Sequence, residues 1–583
     1  MEKKDLHAIE SNLWNMANHL RGKMDASEYK NYILAFMFYK YLSSRQNDTT
    51  REFFGEEMEE GQSSAFFLLD RIFETEDISV MRKYASDSNG FTKLFVEKKN
   101  ELGQPIYNKD GEVEMEPVGK WVENYQDYLD FFAGENGYFI SPFYSWEVLL
   151  TLTRERGIQP SDYQAMFDSF NFTLKYNKEA SQDFEGIFSD VNLGDSKLGT
   201  TTVDRAKSLN SIVELVDETD YFDSEGRDIL GSIYEYLIKQ FAASAGKKGG
   251  EFYTPHEVSV IMAKIVTSPF DKPIDEFSVF DPTCGSGSLL LTVGQELPGG
   301  KNPGVVDYYG QELNTTTYNL ARMNLMMNGV SYDKMTLRNA DTLGPDWPDG
   351  VGPDGKFKLR TFDAVVANPP YSAKWAAPEA YIKDARFHEY GKLAPKSKAD
   401  FAFLLDGLYH LNAHGIMTIV LPHGVLFRGD AEGVIREALI KKNRIDTVIG
   451  LPANLFYGTN IPTIILVLKK NKDNRDILFI DASQEFKKDK NKNTLTDENI
   501  RKIVEAYKDR KDIEKYAHVA SYEEIEKNDF NLNIPRYVDT SEEEPEIDLA
   551  KIDQELDEVG KEIAKVQSEL DKQFRLLGVK VDG

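Results

Sequence analysis

Phe362-Asp363-Ala364-Val365-Val366-Ala367 runs directly into Asn368-Pro369-Pro370-Tyr371. The first six residues read as a buried strand, and the two prolines stop it because neither can donate to a ladder. A second strand-like run, Phe277-Ser278-Val279-Phe280, opens into Asp281-Pro282-Thr283-Cys284-Gly285-Ser286-Gly287-Ser288. Asp281 lies 87 residues before Asn368. A glycine-rich turn after one strand and a proline-locked polar turn after another are the two points around which the rest of the chain is read.

Between and beyond them, helices and strands alternate. The pattern predicts a helix from Pro255, strand 277–281, a helix from about 286, strand 307–312, helix 314–328 and strands 334–340 and 362–367. Helix 399–412, strand 416–421, helix 431–441 and strands 446–451 and 463–468 follow. Such alternation implies an α/β fold with a Rossmann-like parallel sheet covered on both faces. Ligands of such sheets lie at the carboxyl ends of the strands. Asp281, Glu312, Asp341 and Asn368 each fall at one of these ends.

The flanks read differently. Residues 1–225 form a mainly helical N-terminal domain, in which Asp25-Ala-Ser-Glu28 has capping-box spacing before a helix at Tyr29–Leu42. Its many aromatics read as core, with base stacking as the alternative, and an irregular insert lies near 98–120. Residues 226–480 form the catalytic domain, and 481–545 an extension ending in an acidic linker. In 546–583, Ile552, Leu556, Val559, Ile563, Val566 and Leu570 step by four and three, which makes an amphipathic, coiled-coil-like helix. Packing on its own domain and contact with another chain both satisfy that seam.

The whole chain has 583 residues, enough for two or three domains. Its 69 basic and 97 acidic residues give a net charge of −28. A protein gripping nucleic acid alone needs Lys and Arg for phosphate. Either the substrate is not nucleic acid, or a basic partner or a local basic groove supplies the grip. Gly391-Lys-Leu-Ala-Pro-Lys-Ser-Lys398 is one candidate for phosphate contact, with a solvated loop as the alternative. One cysteine, Cys284, excludes an internal disulfide and argues against a Cys-rich zinc site; no metal is expected. The start of the chain has no signal-peptide core and the apolar runs are too short for a bilayer, so a cytoplasmic protein is expected.

Chemistry follows from the motifs. Gly285 and Gly287 let backbone approach a ligand closely. Asp281 would repel phosphate and suits the ammonium of a methionine moiety. Glu312 is placed to accept from ribose hydroxyls, or is a solvated strand end. Asp341-Thr342 would flank the cofactor's adenine, or form an Asx turn. Thr254 and Pro255 can start a helix or wall the methionine pocket. In Asn368-Pro369-Pro370-Tyr371, the Asn368 side-chain oxygen and the Pro369 carbonyl can accept both hydrogens of a planar amino group. That draws the nitrogen toward tetrahedral geometry and makes a poor nucleophile reactive. Tyr371 can stack on the target ring, and a base must leave its duplex to reach the site. The reading is methyl transfer from S-adenosylmethionine, with adenine N6 in DNA as the leading acceptor.

Taken together, the chain resembles the modification (methyltransferase) subunits of type I restriction–modification systems. The likeness rests on Gly249-Gly-Glu-Phe-Tyr-Thr-Pro255, Asp281–Ser288, Gln311-Glu-Leu-Asn314, Asn339-Ala-Asp341, Asn368–Tyr371 and Lys398-Ala-Asp-Phe-Ala-Phe403. It implies N6-methyladenine as product and two copies of this chain joined to one specificity subunit, with a restriction subunit as a possible addition. It implies that Glu251, Phe252, Tyr253, Thr254, Pro255 and His256, together with Asp281–Ser288 and Glu312, contact the cofactor and Asn368–Tyr371 the target adenine. Rival readings are a protein glutamine N5-methyltransferase, a cytosine-N4 enzyme and a catalytically idle scaffold.

Overall fold

The computed structural model describes residues 26–219, 230–245, 253–300, 304–345, 350–351, 357–456, 459–488, 492–540 and 549–578. Asp25, the basic turn 246–250, Glu251, Phe252 and most of the acidic linker lie outside them. The residues through Val538 form one compact unit and the residues from Asp539 a second.

The first unit is organised on a nine-stranded sheet. Its strands are β1 (Phe277–Asp281), β2 (Val306–Glu312), β3 (Met335–Asn339), β4 (Phe362–Ala367) and β5 (Leu411–Pro422). Then come β6 (Ile445–Gly450), β7 (Thr463–Lys469), β8 (Ile477–Asp481) and β9 (Ala517–Ala520). The spatial order is β9-β8-β6-β7-β5-β4-β1-β2-β3. Every strand foreseen from the pattern is present, but the sheet is mixed: β7 runs antiparallel to both β5 and β6, and β9 antiparallel to β8. The cause is the connection 451–462. It holds Pro452 and Pro462 and no described helix, and a parallel return requires a long crossover. Residues 482–538, which read as an extension, carry β9 and helix α8 (Asp497–Asp509), which packs on the sheet.

Period-two alternation assigns each strand's side chains to two cores. Val279, Ala364, Val366, Val420 and Ile465 point into one; Phe280, Val365, Ala367, Ile419 and Leu466 point into the other. The first core is continuous with the N-terminal helical region, including Ile33, Phe36 and Tyr39 of α1 (Ala26–Phe54). Most of the described aromatics of that region are therefore core, whereas Phe53, Phe95 and Tyr107 are exposed. Helices α2 (Leu230–Ala245), α3 (His256–Val266), α4 (Ser288–Glu296) and α5 (Thr315–Met327) belong to this side. Helices α6 (Asp400–Tyr409) and α7 (Asp430–Lys441) belong to the other. Residues 95–117, within the insert, form a small exposed β-finger.

Arg322 of α5 ties the helical region to the sheet. It is 2% exposed, and its Nη1 donates to the carbonyls of Asp183 and Glu185, both at 2.9 Å. Those carbonyls end the helix Lys178–Phe184, whose last-turn acceptors have no intrahelical donors and carry partial negative charge. Tyr41 of α1 adds a hydrogen bond to the Met326 carbonyl at 2.8 Å.

The second unit is a single helix, α9 (Leu549–Leu576). Its seam residues Ile552, Leu556, Val559, Ile563, Val566 and Leu570 are exposed.

Arg322→Ala strands buried carbonyls and is expected to cost about 3 kcal/mol. Limited proteolysis should then release the N-terminal helical region earlier than in the parent protein.

Candidate active site

Both sequence motifs arrive at the carboxyl ends of neighbouring interior strands. β1 and β4 are parallel neighbours, with Val279 opposite Ala364 and Phe280 opposite Val365. One further step sets Asp281 beside Val366, two residues short of Asn368, or roughly 7 Å along the strand.

Asn368 is buried and both ends of its amide are engaged. Nδ2 donates to Thr254 Oγ1 at 3.0 Å, and Oδ1 accepts from the Tyr371 hydroxyl at 2.9 Å. The Thr254 contact fixes which way the amide faces, so Oδ1 is held on the Tyr371 side. Pro255 occupies the cap position of α3 with no side-chain cap, so the Thr254 hydroxyl serves Asn368 and not the helix. Burial, with the charge of Asp400, pushes the Tyr371 hydroxyl well above its ordinary pKa and keeps it a donor. The Tyr371 ring meets Phe456 edge-on, with centroids 5.9 Å apart.

The turn after Tyr371 is fixed from below. Ser372 sits at φ +52°, and its amide donates to Asp400 Oδ1 at 2.7 Å. Asp400 Oδ2 accepts from Arg428 at 3.1 Å, and Arg428 also reaches Glu432 at 3.0 Å. Asp400 and Phe456 were not among the residues singled out from sequence. Asp400 lies inside the Lys398–Phe403 motif, which was quoted without a role; Phe456 carried no signal, since its partner is 85 residues away.

The glycine turn is equally constrained. Asp281 is 2% exposed, and its Oδ1 accepts from the Thr283 amide at 2.9 Å. Burial pushes its carboxyl up to about 8, with Glu312 adding to the rise and the Thr283 amide opposing it. Glu312 Oε2 accepts from the Gly285 amide at 3.1 Å, and Oε1 from Asn314 at 2.8 Å. Gly285 has φ +55°, and a Cβ there would meet nothing within 4 Å; at Gly287, φ is +77° and a Cβ would lie 2.4 Å from Leu325. One face of the turn is therefore open and the other is pressed onto α5. The Ser286 and Ser288 hydroxyls are 3.2 Å apart, and Asn324 Nδ2 donates to the Ser286 carbonyl at 2.9 Å. Cys284 is buried, with its thiol pushed well up, so it is a packed turn residue.

Asp341 is exposed and makes the Asx turn, its Oδ1 accepting from the Leu343 amide at 3.0 Å. Thr342 turns inward and donates to the Pro282 carbonyl. Arg386, 1% exposed, holds this turn by donating to the Thr342 and Gly344 carbonyls; Asp384 and Asp406 keep it charged. Tyr253 is buried in the first core, and His256 is exposed on the first turn of α3. Glu235 of α2, missed from sequence, lies near Ser288 and His256, and burial raises its carboxyl.

The donor set fits a cationic ligand with hydroxyls. Asp281, Glu312 and Glu235 bring three carboxyl groups to an open glycine turn. Such a site repels phosphate and welcomes an ammonium or sulfonium group.

An α/β sheet with acidic strand ends beside a proline-locked asparagine defines an S-adenosylmethionine-dependent methyltransferase. Residues 225–546 match the N-6 DNA methylase family and residues 9–216 the HsdM N-terminal domain. The methylase subunit of the type I restriction enzyme MpnII of Mycoplasma pneumoniae is 34% identical over 96% of this chain and 95% of its own length. The structure of a type I restriction–modification methyltransferase subunit from Streptococcus thermophilus shares 42% identity and a TM-score of 0.72, covering 91% of this chain and 99% of that one. A modification subunit of a type I restriction enzyme from Vibrio vulnificus, 16% identical, shares the fold with a TM-score of 0.52, covering 92% of this chain and 97% of that one. The chain belongs to the N-6 DNA methylase family, as a type I restriction–modification methylase subunit.

Asp281 gives a pH signature. Its carboxyl ionises near 3.8 when unfolded and near 8 when folded. The folded state therefore holds the extra proton between those values, and this contribution to stability is full below about 4 and lost as pH rises through about 8. Thermal midpoints of the ligand-free protein should fall across that window, and Asp281→Asn should flatten the fall.

Proposed function

We propose that Asn368, Pro369, Pro370 and Tyr371 methylate adenine N6 in DNA, and that the turn at Asp281–Ser288 holds the methyl donor. The observation that carries this is the Asn368 amide pinned by Thr254. A carbonyl oxygen has two lone pairs, and the Tyr371 hydroxyl takes one at Oδ1. Such an oxygen can therefore accept one amino hydrogen of the target base beside the Tyr371 hydroxyl, and the Pro369 carbonyl the second. Both acceptors favour a nitrogen that is becoming tetrahedral and positive, so they stabilise the transition state more than the bound base. The half-buried Tyr371 ring, backed by Phe456, is the aromatic surface for a base turned out of its duplex, worth roughly 1–3 kcal/mol for a stacked ring.

In this reading Asp281 meets the ammonium of S-adenosylmethionine and Glu312 its ribose hydroxyls. Gly285 and Gly287 give backbone access, Thr342 closes the turn and Asp341 flanks the adenine. Glu251, Phe252, Tyr253, Pro255 and His256 would wall the methionine end. When bound, the cofactor supplies an electrophilic methyl whose departure leaves a neutral thioether. No described group of three or more His, Cys, Asp or Glu residues could hold a metal.

The partner reading extends from the same family. Sequence recognition would come from a specificity subunit bound by two copies of this chain, with α9 supplying an apolar seam and a restriction subunit adding cleavage. No described helix is long and apolar enough to cross a membrane. That agrees with action on DNA in the cytoplasm.

Asn368→Ala should lower methyl transfer at least about 100-fold with cofactor binding kept. Single-molecule, modification-sensitive sequencing of genomic DNA should show N6-methyladenine lost from one split motif. Unchanged adenine methylation would sink the proposal. Thr254→Val, which frees the amide to turn, should cost roughly tenfold. Ending the chain at residue 540 should abolish co-purification with other subunits and leave cofactor affinity unchanged by isothermal titration.

A further inference from the structure

An acidic protein that acts on DNA must concentrate positive charge somewhere near the reacting base. Between Ser372 and Lys398 the balance reverses, with six basic and three acidic residues in a chain of net charge −28. Not all of these charges are available. Arg386 is buried against Asp384 and Asp406, and Glu389 is paired with Lys442. Lys374 and Lys396 are exposed, and neither forms an ion pair with any described residue.

The backbone segments that carry these two lysines are held side by side. The Trp375 amide donates to the Lys396 carbonyl at 3.0 Å, and the Ala399 amide to the Ala373 carbonyl at 2.9 Å. Segments 373–375 and 396–399 therefore run against each other, with Lys374 in one and Lys396 in the other. The Trp375 indole donates to the Pro395 carbonyl at 3.1 Å and packs edge-on against Phe387 at 5.8 Å. The segment starts at Ser372, which Asp400 fixes, and so it stands directly after the Asn368–Tyr371 turn. A flexible solvated loop would need neither the tryptophan staple nor the buried anchor.

We propose that Lys374 and Lys396 form a phosphate clamp that grips the DNA backbone beside the base presented to Asn368. The inference rests on the DNA reading above and adds the residues that hold the strand. Because the clamp is preorganised, less ordering entropy is lost on binding than with two free lysines. Phosphate contact carries no sequence information, so the clamp sets affinity and register and leaves recognition to other groups.

The test uses the full-length protein co-purified with its native partners and a fluorescein-labelled mixed-sequence duplex, with affinity measured across a salt series. Lys374→Ala/Lys396→Ala should lower the slope of log affinity against log salt by about 2 and weaken binding at least about tenfold at low salt. S-adenosylmethionine affinity should not change. Lys374→Arg/Lys396→Arg should restore both the slope and the affinity. An alanine pair that binds like the parent overturns the clamp, as does failure of the arginine pair to restore binding. Adenine methylation by the parent is followed in parallel. If the parent methylates no adenine but the slope still falls, the adenine reading fails and the clamp stands. If methylation persists and the slope is unchanged, only the clamp fails.

Discussion

The Asn368 amide is the fixed point of this protein. A side-chain amide can face either of two ways, and the proposed chemistry requires the one that turns its oxygen to the substrate amine. Thr254 removes that freedom by accepting from Nδ2, and Tyr371 orders the oxygen by donating to it. Both contacts depend on parts far apart in sequence. Thr254 comes from the segment leading into α3, and Tyr371 is steadied by Phe456. Asp400, itself held by Arg428, sets the turn that follows. Disturbing any of these supports moves an acceptor whose value lies in its position.

The same economy shapes the other half of the site. Carboxylates buried at strand ends are costly without a cation nearby, and the raised carboxyl of Asp281 is the sign of that cost. A cationic ligand, as proposed for this turn, would offset that cost. Positive charge, meanwhile, is kept out of this turn and placed on the segment after Tyr371. In the proposed reading, an acidic body with a local basic rim lets one face hold a cationic donor while its neighbour holds a polyanion.

Much of this was legible from residues alone. The strands β1, β2 and β4 and the glycine and Asn-Pro-Pro-Tyr turns follow from apolar runs broken by Gly and Pro, which are local signals. The direction of β7 was not legible, because a short apolar strand carries no mark of its polarity; the short connection 451–462, with no helix among its described residues, decided it. Nor was the membership of 482–538 in the sheet, since β9 has only four residues and finds its place by pairing with β8. Thr254 looked like a helix cap because its position before Pro255 fits one. Its real partner lies 114 residues away.

The sequence by itself determined the fold class, the two motifs and the chemistry they imply, because strand periodicity, proline stops and glycine turns act over a few residues. The tertiary structure alone decided which groups support those motifs. Arg322 reading the end of a helix 140 residues upstream, Arg386 holding the Thr342 turn and Phe456 meeting Tyr371 are all long-range contacts. Such contacts are selected by the packing of the whole unit, and no local pattern encodes them.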